Sequence, residues 1–97
     1  MADFILSERA RKDLLGIGNY TKDKWSEEQA ERYVRMLISE FAVLAGKPQI
    51  GRSYEPYRQG LMGYPCGKHV IFYRMMSAGK IRIVRILHER MDFPRHL

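Results

Sequence analysis

Cysteine is nearly absent from the sequence. Cys66 is the single example in 97 residues, so no disulfide can close within the chain. Its setting between Pro65 and Gly67, with no base assignable beside it, reads as an inert small residue rather than a nucleophile. No His or Cys pair has the spacing of a metal site, and nothing points to a cofactor. Long apolar runs are missing too. None approaches the ~18 residues that a membrane span requires. The opening Met1-Ala2-Asp3-Phe4-Ile5-Leu6 has neither a basic start nor a long apolar stretch, so no signal peptide is expected. The expectation is a soluble, cytoplasmic, single domain over residues 1–97, with no membrane partner. Leu15-Gly16-Ile17-Gly18 lacks the third glycine and the strand-to-helix setting of a dinucleotide loop. Acidic residues are in short supply: eleven face seventeen Lys and Arg, leaving a net charge of +6. That excess favours anionic partners without choosing among nucleic acid, membrane surface and acidic protein.

What is present organises around 68–97. Two runs rich in Val, Ile, Phe and Tyr, His69–Met75 and Ile81–His88, flank Ser77-Ala78-Gly79-Lys80. That pattern predicts a β-hairpin. Upstream, Phe4–Leu6 is enough for one strand, and Ser7 stands where a helix N-cap belongs. Ala10, Leu14 and Ile17, with Tyr20 or Thr21 next, mark one face of an amphipathic helix. Gly16 and Gly18 predict a bend or a close packing point in it. Trp25 ends this segment, and Ser26-Glu27-Glu28-Gln29 reads as a capping box. Ala30, Tyr33, Val34, Leu37, Ile38, Phe41 and Leu44 then give a second helix, with Gly46 as its C′ residue and Pro48 as a stop. Between Gln49 and Gly67, glycines and prolines leave room only for a short strand near Leu61–Tyr64. The expected class is α+β, in the order β-α-α-β-β-β: a two-helix antiparallel hairpin packed on a small antiparallel sheet.

Several residues carry charge or chemistry into this frame. Arg85 either grips an anionic partner with its planar fork or pairs with an acid such as Asp92 or Glu89. His88 is an acid–base group or a hydrogen-bonded strand-end residue, and His69 reads as structural. Tyr54, Tyr57 and Tyr64 lack the spacing of a base-stacking motif and suit the core better. The tail, 89–97, combines apolar Met91, Phe93 and Leu97 with cationic Arg90, Arg95 and His96. It serves recognition or docks for stability.

These residues together resemble the ParE toxins of bacterial toxin–antitoxin operons, within the RelE/ParE superfamily. The resemblance runs along Leu6-Ser7, Ala10, Asp13-Leu14, Ile17, Tyr20, Trp25, Gln29-Ala30, Tyr33, Leu37, Phe41 and Leu44-Ala45. It continues through Pro48, Gly51-Arg52 and His69–Tyr73. Its most specific block is Ile83-Val84-Arg85-Ile86-Leu87-His88, Met91-Asp92 and Arg95-His96-Leu97. The resemblance implies a non-enzymatic toxin that binds DNA gyrase and stabilises its cleaved-DNA complex. It further implies neutralisation by a ParD-like antitoxin, whose acidic segment folds onto the toxin in a higher hetero-oligomer. Target contacts are then expected from Arg85, His88, Met91, Asp92, Arg95, His96 and Leu97. Antitoxin contacts are expected from Leu14, Ile17, Tyr33, Leu37 and Arg74.

A second superfamily branch, similar to RelE, cuts messenger RNA on the ribosome. That branch uses basic residues on the concave sheet face, and Arg74, Arg82, Arg85 and His88 could all lie near it. No Tyr follows Tyr73, and His96 is the only acid–base group of the tail, which is a poor set for general acid–base cleavage. A general nucleic-acid binding module is the third reading, and it rests on the charge alone.

Overall fold

Ser7 joins the two layers of the molecule. In the computed structural model, which describes residues 3–97, its Oγ accepts the Ala10 N–H at 3.0 Å and donates to the Val84 carbonyl at 2.8 Å. The same hydroxyl thus starts the first helix and ties it to the last strand. The elements are β1 (Asp3–Leu6), α1 (Glu8–Lys24), α2 (Glu27–Gly46), a 3-10 turn (Pro48–Ile50), β2 (Arg52–Ser53), β3 (Met62–Cys66), β4 (His69–Ser77), β5 (Lys80–His88) and α3 (Phe93–His96). The sheet order is β1-β5-β4-β3-β2. The α+β class and the expected succession hold. Strands β2 to β5 are antiparallel, but β1 lies parallel to β5, so the sheet is mixed. A parallel neighbour needs a long crossover, and the whole chain from α1 to β4 supplies it.

Helices α1 and α2 form a hairpin around Trp25 and Ser26, whose Oγ accepts the Gln29 N–H at 3.1 Å. Ala10, Leu37, Phe41 and Leu44 from this pair meet Ile71, Tyr73, Ile81, Ile83 and Ile86 of the sheet, all of them buried. Each large aliphatic buried in this way contributes about 1.5–3 kcal/mol. A second, smaller core lies on the opposite sheet face. There Leu61, Val70, Phe72, Val84 and Leu87 are covered by Tyr54, Phe93 and Leu97. Burial on both faces explains why 70–73 is an unbroken apolar run rather than an alternating one.

Local expectations fared unevenly. The hairpin turns at Ala78-Gly79, with Gly79 at φ 76°. The short strand begins one residue later than expected and runs on to Cys66. Helix α1 passes through Gly16 and Gly18 without a break. A methyl group at Gly16 would meet nothing, and one at Gly18 would make ordinary contact with Val34. Gly46 is the last helical residue of α2, not a left-handed cap; Lys47 ends the helix and Pro48 opens the next turn. Tyr20 and Ile38, placed on apolar stripes by their spacing, are exposed.

Candidate interaction surfaces

The end of β5 runs past β1, which stops opposite Ile83, so the rest of its edge needs other partners. Asp13 of α1 supplies one. Its Oδ2 accepts from the Ile86 N–H at 3.0 Å and from Arg85 Nε at 2.7 Å, while its Oδ1 accepts from Arg85 Nη2 at 3.0 Å. Arg85 Nη1 then donates to the His96 carbonyl at 2.8 Å. One guanidinium therefore connects the first helix, the last strand and α3. Only 12% of the Arg85 side chain and 15% of that of Asp13 meet solvent. Arg85 is thus committed to an internal pair, and its acid is Asp13, not the neighbouring Asp92 or Glu89. A partner 72 residues away in sequence left no local signal.

The tail is held by apolar contacts as well. Phe93 packs edge-on against Phe72 at 5.0 Å, and Leu97 covers the same core. The turn at Met91 closes on the His88 carbonyl at 3.0 Å. Met91, Asp92 and Arg95 remain exposed, while His96 and Leu97 are partly buried. The expected target-binding residues are therefore brought together at one end of the molecule, with Arg85 beneath them.

Next to this end lies a trough of about 560 Å³, between α1, Tyr33 of α2 and the paired ends of β4 and β5. His69 and His88 are directly opposite each other in the sheet, with their rings edge-to-face at 5.3 Å. Tyr33 Oη accepts the Lys68 N–H at 2.9 Å and lies 2.6 Å from His69 Nδ1. The hydroxyl has one proton and a second lone pair, so the direction of this bond follows the tautomer of His69. Burial, reinforced by the charge of His88, lowers the His69 pKa to about 4, so the ring is neutral near pH 7. Arg90 N–H donates to His88 Nδ1 at 3.1 Å, so the proton of a neutral His88 sits on Nε2. Tyr20 and Trp25 line the trough and are 64% and 68% exposed. Lys12 and Lys68 add charge to it. Sequence reasoning missed Trp25, Tyr20, Lys12, Lys68 and His69. Spacing assigns Tyr20 to the apolar stripe of α1 and Trp25 to its end, so neither carried a signal of exposure.

The residues expected to meet an antitoxin separate. Ile17 and Tyr33 share the trough. Leu14 is partly buried against the main core, and Leu37 is fully buried, so Leu37 can support a surface but not touch a partner. Arg74 stands exposed in β4 opposite Arg82, and neither pairs with a carboxylate among the described residues. A further shallow groove runs between the two helices and reaches β1, over Phe4, Gly18, Ala30, Val34, Ile38 and Ala42.

The set needed for RNA cleavage does not converge. Arg82 and His88 are six residues apart on one strand, about 20 Å at strand spacing, and Arg85 is occupied by Asp13. Among the described residues, no three His, Cys, Asp or Glu side chains are grouped to hold a metal ion. No helix among them is long and apolar enough to cross a membrane.

Residues 4–93 match the family model described as the ParE toxin of the type II toxin–antitoxin system parDE. The chain belongs to the ParE toxin family. It is 39% identical over 94 residues to Toxin ParE1 of Mycobacterium tuberculosis, covering 97% of this chain and 96% of that protein. It is 36% identical over 97 residues to Toxin ParE1 of Caulobacter vibrioides, covering 100% and 99%. Toxin ParE of Escherichia coli is 32% identical over 97 residues, covering 100% and 94%. The fold agrees with a chain of the solved "Chromosomal ParDE TA system from P. aeruginosa", with a TM-score of 0.75 over 91% of this chain and 96% of that one, at 18% identity. The stretch matched to the ParE family contains the Asp13–Arg85 clamp, Tyr33 and both trough histidines.

Proposed function

We propose that this ParE toxin is a non-enzymatic inhibitor of DNA gyrase that binds and stabilises the cleaved-DNA complex in the cytoplasm. A ParD-like antitoxin neutralises it by folding an acidic segment onto its basic surface, and the pair assembles as a higher hetero-oligomer. The observation that carries the reading is the preorganised tail. Phe93 and Leu97 anchor it and Arg85 clamps it, so Met91, Asp92 and Arg95 are presented in a fixed arrangement. A rigid element loses less entropy on binding than a disordered one. The scatter of Arg74, Arg82, Arg85 and His88 also favours binding over RNA cleavage, which requires a donor and an acceptor on either side of one phosphate.

Plasmid supercoiling by purified gyrase, with rising toxin and a detergent quench, tests this. Loss of supercoiling with accumulating linear DNA is expected, as is protection by the antitoxin. Unchanged supercoiling at large toxin excess overturns the reading. Cleavage of ribosome-bound message by the same preparation would put the endonuclease in its place.

A further inference from the structure

Two arginines face each other across the sheet. Arg74 of β4 lies directly opposite Arg82 of β5, and both are exposed. Side chains at such positions start roughly 5 Å apart, and like charges there destabilise the sheet. Neither arginine forms an ion pair among the described residues. The acids of the adjoining loop and strand are turned to backbone. Glu55 Oε2 accepts the Gly60 N–H at 3.0 Å, and Asp3, beside Lys80 in the register, accepts the Phe4 N–H at 2.8 Å. The pair therefore costs the fold something and has no internal counter-charge.

Its place in the fold supplies a use. Ile71 and Tyr73 face the main core while Val70 and Phe72 face the smaller one, so Arg74 follows Phe72 on the smaller-core face. Arg82 lies between Ile81 and Ile83 of the main core and so joins Arg74 there, with Lys80 next along the strand. Phe93 of α3 packs on Phe72, about 7 Å along β4 from Arg74. The tail and the arginine pair thus address one side of the molecule. Arg74 is also steadied: its Nε passes 3.9 Å from where a side chain would begin at Gly60. Two adjacent guanidinium forks match the oxygens of a phosphate, which accepts from both. Neither the trough nor the interhelical groove reaches the pair. An open strand surface suits the backbone of a polymer better than a small enclosed anion.

We propose that Arg74 and Arg82 together grip a backbone phosphate of the DNA in the complex that the tail addresses. The inference rests on the gyrase reading above and deepens it by adding a contact on the nucleic acid. A ligand shifts an equilibrium only by its differential affinity for the two states. A grip on a phosphate that moves when the strand is broken supplies such a difference, and contact with the enzyme alone does not.

Anisotropy of a short labelled DNA duplex, titrated with the toxin between about 50 and about 200 mM salt, tests the site. Arg74→Gln/Arg82→Gln is expected to bind at least tenfold more weakly and to flatten the salt slope by about one, for the phosphate that the pair neutralises. Arg11→Gln/Arg35→Gln removes the same charge from exposed positions of the two helices and leaves affinity and slope nearly unchanged. The strand variant should unfold at no lower urea concentration than the wild type, because a like-charge contact is gone, so lost binding is not lost folding. In the supercoiling assay it should need at least tenfold more protein to accumulate linear DNA. Equal loss in both double variants, or loss in neither, overturns the site. Tighter binding of an RNA duplex of the same sequence would assign it to RNA, and binding of polyglutamate but not of the duplex would assign it to an acidic protein; either overturns the proposal. If the duplex binds through the pair while gyrase is unaffected, the phosphate grip stands and the gyrase reading falls. If gyrase is poisoned equally by the wild type and the strand variant, the gyrase reading stands and this inference falls.

Discussion

Asp13 and Arg85 form a two-pronged ion pair that closes the open edge of β5 and holds α3 in place. Removing either partner leaves a largely dehydrated charge without compensation, and removing Asp13 also orphans the Ile86 N–H. Asp13→Ala and Arg85→Ala are each expected to destabilise the toxin by about 2–4 kcal/mol, somewhat below the range for fully buried pairs. Urea unfolding measures this. The double variant should cost clearly less than the sum of the singles, because it leaves no orphan charge. Arg85→Lys is the more informative change. It keeps the charge but loses the fork, so it should release α3 and impair the gyrase poisoning proposed above more than it lowers stability.

A second close relationship fixes the connection out of α2. Gly51 passes over Tyr73, whose hydroxyl donates to the Pro48 carbonyl at 2.7 Å. A Cβ at Gly51 would overlap that hydroxyl and come within 2.8 Å of the ring carbon Cζ. Since Tyr73 is fully buried, the ring has little room to give way. Gly51→Ala is therefore expected to cost about 1–3 kcal/mol through overpacking. Tyr73→Phe should cost about 1 kcal/mol for the lost hydrogen bond. In combination the two should cost less than their sum, since removing the hydroxyl relieves the worst of the clash. Thermal unfolding resolves these differences, at roughly 4–8 °C per kcal/mol for a chain of this size.

The sequence made the helices and the hairpin legible because their signals are local. Ser7 and Ser26 cap where they stand, the apolar stripe of α2 lies within one helix, and Gly79 marks its own turn. The clamp was hidden because Asp13 and Arg85 meet only after the parallel crossover, and a charge on a helix surface ordinarily faces water. The two-faced burial of β4 hid the second core, since an apolar run does not say what covers each side. His69 was readable only as structural, because its contacts with Tyr33 and His88 form only once α2, β4 and β5 are packed together. The tail was legible as a recognition candidate with Phe93 among its apolar anchors, but the surface that Phe93 meets was not, because Phe72 lies on another strand.

His69 also gives the toxin an acid sensitivity of defined sign. Its pKa of about 4 in the folded chain, below the ordinary 6.5, arises first from burial and then from the facing His88. Glu89 and Asp13 pull the other way without cancelling it. The unfolded chain therefore takes up this proton before the folded one does. The contribution is fully present above about pH 6.5 and is lost as pH falls through the window from about 6.5 to about 4. A fully buried ring would make this about 3 kcal/mol. The ring keeps partial contact with water, so about 1–2 kcal/mol is expected. Urea midpoints at pH 7, 5.5 and 4.5 would show the decline, and His69→Gln should flatten the part due to this ring while carboxylates elsewhere still titrate. Tyr33→Phe is the complementary control. It removes the bonds to Nδ1 and to the Lys68 N–H, lowering stability by about 1 kcal/mol at pH 7, yet the burial of His69 persists and so should the slope. An unchanged slope in His69→Gln would mean that the imidazole is already well hydrated, and the trough would then be wetter than its apolar walls suggest.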